Sequence, residues 1–433
     1  MSATPLQIQD AIRRARAARD FVQQHRRTEA VIEALAAAAK SWLPATSPWR
    51  AQAVERVPAA SGFSPAMVHE AIDRIFGAIT TESLAALLER EFGDRRVLDE
   101  FRPHGRGQAR AMGVPVILHL LAGNVPPPAI HSILCGLLVR SGNVVRMSRR
   151  DPVFPRLFLE SVQAADPDLS RCVELLEWPR EETALTQAAL ARADAVIAHG
   201  DDSTIAALRR MSPPGAAFIG YGQKVSFAYV CREMMTAEQL PALAALAADD
   251  VSVYDQQGCL SPHVFYVEER GALGPRKFAA ALAEAMAAFQ ARIPRGKLSV
   301  EEAAAVNTTR SGYEFRAASD RRVAVWSSQQ PNDWVVIYED NPSFEPSCLN
   351  RVVFVKPTDG EPRVLEGIAR FASYISTVGV APMSDRMQEF ARQLAALGVH
   401  RVCPIGQMQR PPLWWFHDGK PNLMPLVRWT ELG

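Results

Sequence analysis

A chain of 433 residues is too long for one ordinary hydrophobic core; at roughly 100 to 200 residues per domain it divides into two or three. Hydrophobic residues make up 48%, charged residues 22% and the formal net charge is +1, close to globular averages, so neither nucleic acid nor membrane is implied as a bulk partner. The N-terminus has no apolar signal core, and the longest apolar stretch, 114–138, is broken by His119, Asn124 and Pro126-Pro127-Pro128, so a cytoplasmic location is expected.

Residues 7–40 and 64–93 carry helical periodicity, the second stretch opening on Ser64-Pro65, with the loop SWLPATSPWR between them. Arg13, Arg14, Arg16 and Arg19 line one face of the first helix; a solvated face is expected there, with a phosphate-bearing ligand as the alternative. From residue 114 short apolar strands alternate with helical segments: VPVILHLLAGN, PAIHSILCGLLVRSG, NVVRMS, VELLEW, DAVIAHG and AAFIGYG. This is the rhythm of a doubly wound α/β domain, in which ligands sit where strands hand over to helices. Asn124, Ser148, Gly200 and Gly220 to Gly222 fall in such turns.

A second α/β stretch begins with VSFAYVC at 225–231 and continues through an Ala-rich helix at 236–248 and a loop at 249–262. Strand HVFYVEE, a helix at 275–289, strands near 322–326 and 333–338, and strand RVVFVKP follow. SYISTVGV, a helix at 383–397 and strand HRVCP then lead to the tail PPLWWFHDGKPNLMPLVRW. The expected division is 1–220 for N-terminal helices and the doubly wound domain, 221–378 for a second α/β domain, and 379–433 for a segment returning to the first domain.

Six cysteines, at 135, 172, 231, 259, 348 and 403, form no C-x-x-C pair and no metal-ligand spacing, so neither a disulfide framework nor a metal is expected. Cys135, Cys231 and Cys403 lie in apolar periodic segments that read as core, whereas Cys259 lies in the polar, glycine-preceded turn DQQGCLSP. Gly258 would let the backbone approach a reacting carbonyl, and Ser261-Pro262 would stiffen the exit. Context alone leaves a nucleophile and a structural cysteine both open. GRGQAR at 105–110 lacks the third glycine of a dinucleotide fingerprint, and no phosphate-cradling P-loop or G-x-S-x-G elbow is present. HGDDST (199–204) and GYGQK (220–224) read either as cofactor contacts or simply as turns. His119, His199, His263 and His417 have no metal spacing and read as scaffold histidines.

Taken in order, LLAGNVPPPAIHSILCGLLVRSGNVVRMS, DAVIAHGDDSTIAALRR, DQQGCLSP, FSPAMVHEAIDRIF and the terminal HDG resemble the acyl-CoA reductase branch of the aldehyde dehydrogenase superfamily. That resemblance implies an aldehyde dehydrogenase-like α/β fold: a doubly wound cofactor domain, an α/β catalytic domain and a small C-terminal or oligomerisation element. It implies NAD(P)H-dependent reduction of an acyl thioester, on CoA or a carrier, to an aldehyde through a thioacyl-cysteine. Cys259 would be the nucleophile and Asn124 a side-chain donor to the oxyanion. Cofactor contacts would fall at Arg146 or Ser148, at His199, Gly200 and Ser203, and at Gly220, Tyr221 and Gly222. NADPH is the implied cofactor with NADH open, and CoA is product or co-substrate. A homo-oligomer is implied, with the exposed-looking WWF and LVRW segments resembling an interface.

One departure bears on chemistry. Where hydrolytic relatives carry Glu-Leu-Gly-Gly-Lys, with a glutamate that activates water, this chain has Gly220-Tyr221-Gly222-Gln223-Lys224. General-base catalysis contributes roughly a hundred- to ten-thousandfold, so its absence favours thioester chemistry over carboxylate production. CoA-acylating oxidation of an aldehyde, and an acyl-transfer subunit without redox activity, are the alternatives.

Overall fold

Thr4 accepts from the Gln7 N–H, Gln7 returns a bond to the Thr4 N–H, and Pro5 presets the first helical φ; the first helix therefore begins at Pro5 and runs to His25. The computed structural model describes residues 3–123 and 125–433. The helical periodicity over 7–40 belongs to two helices: the chain breaks where Arg26 and Arg27 turn extended, and Thr28–Lys40 is a separate helix. The second stretch likewise divides into Pro65–Gly77 and Thr81–Phe92, the latter started by a Thr80 capping box, and the end of the expected loop already belongs to the helix Pro48–Ser61. The arginines of the first helix are engaged locally: Arg14 pairs with both Glu174 oxygens at 2.7 Å, Arg13 meets Asp10 at 2.9 Å, and Arg19 donates to the Gly113 carbonyl at 2.6 Å.

In chain order the strands are β1 Arg102–His104, β2 Gly107–Gly113, β3 Val116–Leu120, β4 Gly142–Arg146, β5 Val173–Leu176, β6 Ala195–His199 and β7 Ala217–Tyr221. There follow β8 Val225–Val230, β9 Pro262–Glu268, β10 Val323–Ser327, β11 Val335–Glu339, β12 Val352–Thr358, β13 Ile375–Ala381, β14 Arg401–Pro404 and β15 Val427–Leu432. Two units emerge, one of residues 1–61, 68–223 and 412–433, the other of 62–67 and 224–411.

In the first unit β5-β4-β3-β6-β7 form a parallel sheet wound outward from β3 in both directions. Val116, Leu118 and Leu120 bury one face against Ile8, Ile12, Leu185, Leu190 and Leu208. On the other face His119 accepts from Ser132 Oγ at 2.7 Å through Nδ1 and donates to Asn143 Oδ1 at 3.0 Å through Nε2. Helices thus cover both faces, which makes the unit doubly wound, and its switch point lies between β3 and β6. A separate antiparallel sheet, β1-β2-β15, contains two segments read differently from sequence. GRGQAR supplies the β1–β2 turn and the start of β2. LVRW is not an open surface: Leu426 is buried, β15 pairs with β2 from Val427 opposite Gly113 to Leu432 opposite Gln108, and Trp429 meets Phe92 edge-on at 5.9 Å. Trp414, Trp415 and Phe416 are also only partly exposed.

The second unit holds the sheet β10-β11-β12-β9-β8-β13-β14, parallel except for β10. Alternation sorts its core: Ala228, Val230, Phe265, Val267, Val353 and Val355 face the helices Leu240–Ser252 and Pro275–Arg292. Phe227, Tyr229, Val264, Tyr266 and Phe354 face Val306, Val364, Met387 and Phe390 from the opposite side. The return to the first unit occurs at Pro412 rather than near 379, because β13 lies between β8 and β14 and both its faces are buried there. Among the described residues no helix is long and apolar enough to cross a membrane.

Burial holds the His119 imidazole down to about 4, with its bond to Asn143 opposing. A histidine depressed in the folded state contributes stability that is complete above its unfolded value near 6.5 and is lost as pH falls towards 4. Between pH 7 and 5 the wild type should therefore lose about 2 kcal/mol that His119→Gln does not lose. Urea unfolding of both proteins at the two pH values measures this; equal slopes would contradict it.

Candidate active site

Of the six thiols, none joined in a disulfide, four are buried and two, Cys259 and Cys348, are partly exposed. Cys172, Cys231 and Cys403 are buried and pushed up to about 12, burial drives Cys135 higher still, and Cys348 is also raised by burial. Cys259 is partly exposed on the turn that enters β9. The Ser261 N–H donates to the Gly258 carbonyl at 3.0 Å, closing the turn around it. Ser226 Oγ donates to the Cys259 carbonyl at 2.7 Å, and Gln409 Nε2 donates to Ser261 Oγ at 2.6 Å. Gln409 comes from a loop gathered by buried Asp250, whose two oxygens accept from the Gly406 N–H at 2.5 Å and the Met408 N–H at 3.0 Å; burial lifts Asp250 to about 7. A Cβ on Gly258 would meet nothing nearer than Gln409 Oε1 at 3.4 Å, so packing inside the unit does not require glycine there.

The turn starts from unusual backbone. Tyr254, Asp255 and Gln256 all have left-handed φ (55°, 52° and 64°), and so do Leu349, Asn350 and Arg351 (64°, 59° and 63°). Such φ values are uncommon for side-chain-bearing residues and persist only where the surroundings over-determine them. Here three side-chain ties cross between the two turns. Arg351 Nη2 meets Asp255 Oδ1 at 2.7 Å, with the two side chains 1% and 8% exposed. Gln256 accepts from the Val352 N–H at 2.9 Å and donates to the Val352 and Pro262 carbonyls at 2.9 and 3.0 Å, bridging the starts of β12 and β9. Gln257 donates to Asn350 Oδ1 at 2.9 Å. Phe63 and Met67 of FSPAM support the first turn: Met67 Sδ accepts from the Tyr254 N–H at 3.2 Å, and the two rings meet edge-on at 6.4 Å. Lys224 supports backbone, its Nζ donating to the Ser373 carbonyl at 2.8 Å.

The expected cofactor residues gather at the carboxyl ends of β4, β6 and β7 in the first unit; Asn124 lies outside the described residues. Gly123 has φ +79°, and a Cβ there would come within 2.3 Å of Ser148. Ser148 Oγ donates to the Ala122 carbonyl at 2.7 Å, which ties the two turns together. Arg146 ends β4 with its Nε buried and without a hydrogen-bond partner; burial, then the like charge of Arg180, lowers its affinity for the proton. An anion would relieve both penalties. His199 Nε2 is also a buried atom without a partner, and its ring stacks on Tyr221 at 4.8 Å, which stacks on His417 at 4.0 Å. Burial holds His199 at about 3, hence neutral. These orphaned atoms fit a phosphate-bearing, amide-bearing cofactor. The helix Asp202–Met211 does not offer its positive end freely: Asp201 accepts from Ser203 Oγ at 2.6 Å and the Thr204 N–H at 2.7 Å, and these bonds hold it at about 2. Gly200 donates its N–H to the Tyr221 carbonyl at 3.1 Å, and Asp202 Oδ1 takes the Gln223 N–H beside Gly222 at 3.1 Å. At Gly220 a Cβ would lie 2.6 Å from Ile205 and 2.9 Å from Phe218, so a glutamate would need repacking.

The family model for acyl-CoA reductase (LuxC) matches residues 23–429. This chain belongs to that family. Long-chain acyl-protein thioester reductase of Vibrio harveyi is 29% identical over 377 residues, 86% of this chain and 75% of that protein; its counterpart from Aliivibrio fischeri is 26% identical over 358 residues, 81% and 70%. Among solved structures, the chain superposes over its whole length on aldehyde dehydrogenase 21 from Physcomitrella patens (TM-score 0.75, 12% identity, 91% of that chain). It does so equally on glyceraldehyde-3-phosphate dehydrogenase GapN from Methanocaldococcus jannaschii complexed with NADP (0.73, 14%, 95%). The fold is that of the aldehyde dehydrogenases.

Within this acyl-CoA reductase fold, sequence reading passed over the residues that build the cysteine turn. Ser226, Arg351 and Gln409 lie far apart in the chain and in no motif, and Gln256, although inside DQQGCLSP, carries no sign of its partners there; the pairing of Asp255 with Arg351 is made and buried only by the fold. Removing one partner of a buried pair leaves the other charge uncompensated. Arg351→Met should cost about 3 to 5 kcal/mol, and adding Asp255→Asn should recover part of it. Urea midpoints of the two single variants and the double variant form the cycle; an additive result would show that the pair is not coupled.

Proposed function

We propose that this protein reduces an acyl thioester to an aldehyde with Cys259 as nucleophile and a nicotinamide as reductant. The carrying observation is that Cys259 is a partly exposed thiol on a turn held from several sides, in a chain of the acyl-CoA reductase family. The Cys259 thiolate attacks the thioester carbonyl, and the oxyanion takes its hydrogen bonds from the Cys259 N–H and the Asn124 amide. The carbon–sulfur bond to CoA or to a carrier breaks, the carrier leaves as its thiolate and takes a proton from water, and the acyl group rests on Cys259. When bound, the nicotinamide supplies the hydride that takes this acyl group to the aldehyde level. Cys259 is then released as thiolate.

Arg146 and the orphaned His199 Nε2 support a cofactor held at the carboxyl ends of β4 and β6, with Ser148, Gly200, Ser203, Gly220, Tyr221 and Gly222 shaping the turns around it. A guanidinium in need of an anion favours NADPH over NADH. Gly220, enclosed by Ile205 and Phe218, leaves no carboxylate at the position where hydrolytic relatives activate water, which supports discharge by hydride or thiol.

Incubating the protein with a long-chain acyl-CoA and reading intact mass and mapped peptides tests the reading. Wild type should carry one acyl group on Cys259 and, given NADPH, release aldehyde; Cys259→Ala should do neither, whereas Cys135→Ala should retain labelling. Labelling on Cys348 or Cys403 would sink the assignment. Asn124→Ala should fold, with acylation and turnover both reduced by about a hundred- to a thousandfold, the effect of losing one oxyanion donor. Steady-state kinetics decides this: an effect confined to KM would exclude that role.

A further inference from the structure

Two irregularities in the seven-stranded sheet meet at Ser226. Between β8 and β9 the register passes from Ser226 opposite Pro262 to Phe227 opposite Val264, leaving His263 as an extra residue on β9. Between β8 and β13 it passes from Val225 opposite Ile375 to Phe227 opposite Val378, one residue longer on β13. Bulges disrupt the ladder and re-aim the chain beside them. At this double bulge a side chain supplies the pairing: Ser226 Oγ, on a residue with no exposed surface, donates to the Cys259 carbonyl at 2.7 Å and accepts from the Thr377 N–H at 3.2 Å. One hydroxyl can do both because it has one proton and two lone pairs.

The consequence for Cys259 follows from the planarity of peptides. Two planes flank its Cα. The carbonyl of the Gly258–Cys259 plane is held by the Ser261 N–H, and the carbonyl of the Cys259–Leu260 plane by Ser226. Fixing both planes fixes φ and ψ of Cys259, and with them the directions in which its N–H and its side chain leave the backbone. We propose that Ser226 is a positioning residue for acyl transfer, its hydroxyl anchoring the peptide after Cys259 to β13 so that thiolate and N–H are aimed together at one carbonyl. The proposal rests on the reading of Cys259 as the nucleophile. Ser226 acts through the Cys259 carbonyl, which takes no part in bond making.

Ser226→Ala in the full chain is the test, with single-turnover acylation of Cys259 by acyl-CoA as its main readout. Misplacing a reacting group by about 1 Å can cost a hundredfold, so acylation and kcat should fall by roughly ten- to a hundredfold. KM for acyl-CoA should move by less than about threefold, because ground-state binding is left in place. Ser226→Thr, which keeps the hydroxyl, should recover most of the rate. A merely structural serine would lower the melting temperature and leave kcat per folded molecule unchanged, and that result overturns the proposal. So does a folded Ser226→Thr no faster than the alanine variant. Should Ser226→Ala not fold, Ser226→Cys, near in size and a weak donor, takes its place under the same kcat criterion. Wild-type acylation at a residue other than Cys259 would instead defeat the underlying reading, and the acylated-peptide map separates the two failures.

Discussion

The buried ion pair between Asp255 and Arg351 holds together a piece of backbone that would not hold itself. Three consecutive left-handed residues precede β9 and three precede β12, and each triplet is disfavoured on its own. Joined by that pair and by the Gln256 amide, which bonds to both strands, they become one rigid corner. The gain is geometric. β9 can begin beside β12 in register while the chain before it doubles back sharply enough to present Cys259 on a tight turn. Arg351 also reaches Gln290 at 2.6 Å and the Ile293 carbonyl at 3.2 Å, so the corner is anchored to the end of the helix Pro275–Arg292. A buried charge with this many partners specifies one arrangement, since any other leaves polar atoms unpaired.

In each unit the candidate residues lie at a different end of the strands. In the first, the turns with orphaned polar atoms follow the carboxyl ends of β4 and β6, on either side of the switch point, where parallel sheets ordinarily receive ligands. In the second, Cys259 precedes the amino end of β9 and is shaped by side chains instead of by a helix terminus. Asp201 and Asp202 already occupy the start of the helix Asp202–Met211, so the unpartnered cation among these turns is Arg146 and not a helix terminus.

Much of the fold was readable because alternation and strand–helix rhythm are local signals. β3 to β9 and β11 to β13 fall within two or three residues of the apolar runs that announced them, and Cys259 stood out by the polarity of its turn. The helix Val300–Ser319 went unread because Val306 is its one fully buried residue; a helix that packs so little shows no apolar stripe. β2 and β15 were missed because neither carries a local apolar run; the pairing that makes them strands joins residues 314 apart, from Gly113 to Val427. The break at Arg26-Arg27 carries neither glycine nor proline, so periodicity ran across it.

By itself the sequence determined the doubly wound architecture, the location of the candidate nucleophile and the absence of a glutamate at Gly220, since each depends on residue types within a few positions of one another. Tertiary structure alone decided which side chains build the cysteine turn and where the chain returns to its first unit. Ser226, Gln256, Arg351, Thr377 and Gln409 are ordinary polar or charged residues until folding buries them. Once water is excluded, each must find its partner within the protein, and that requirement, invisible in any local window, fixes the backbone around Cys259.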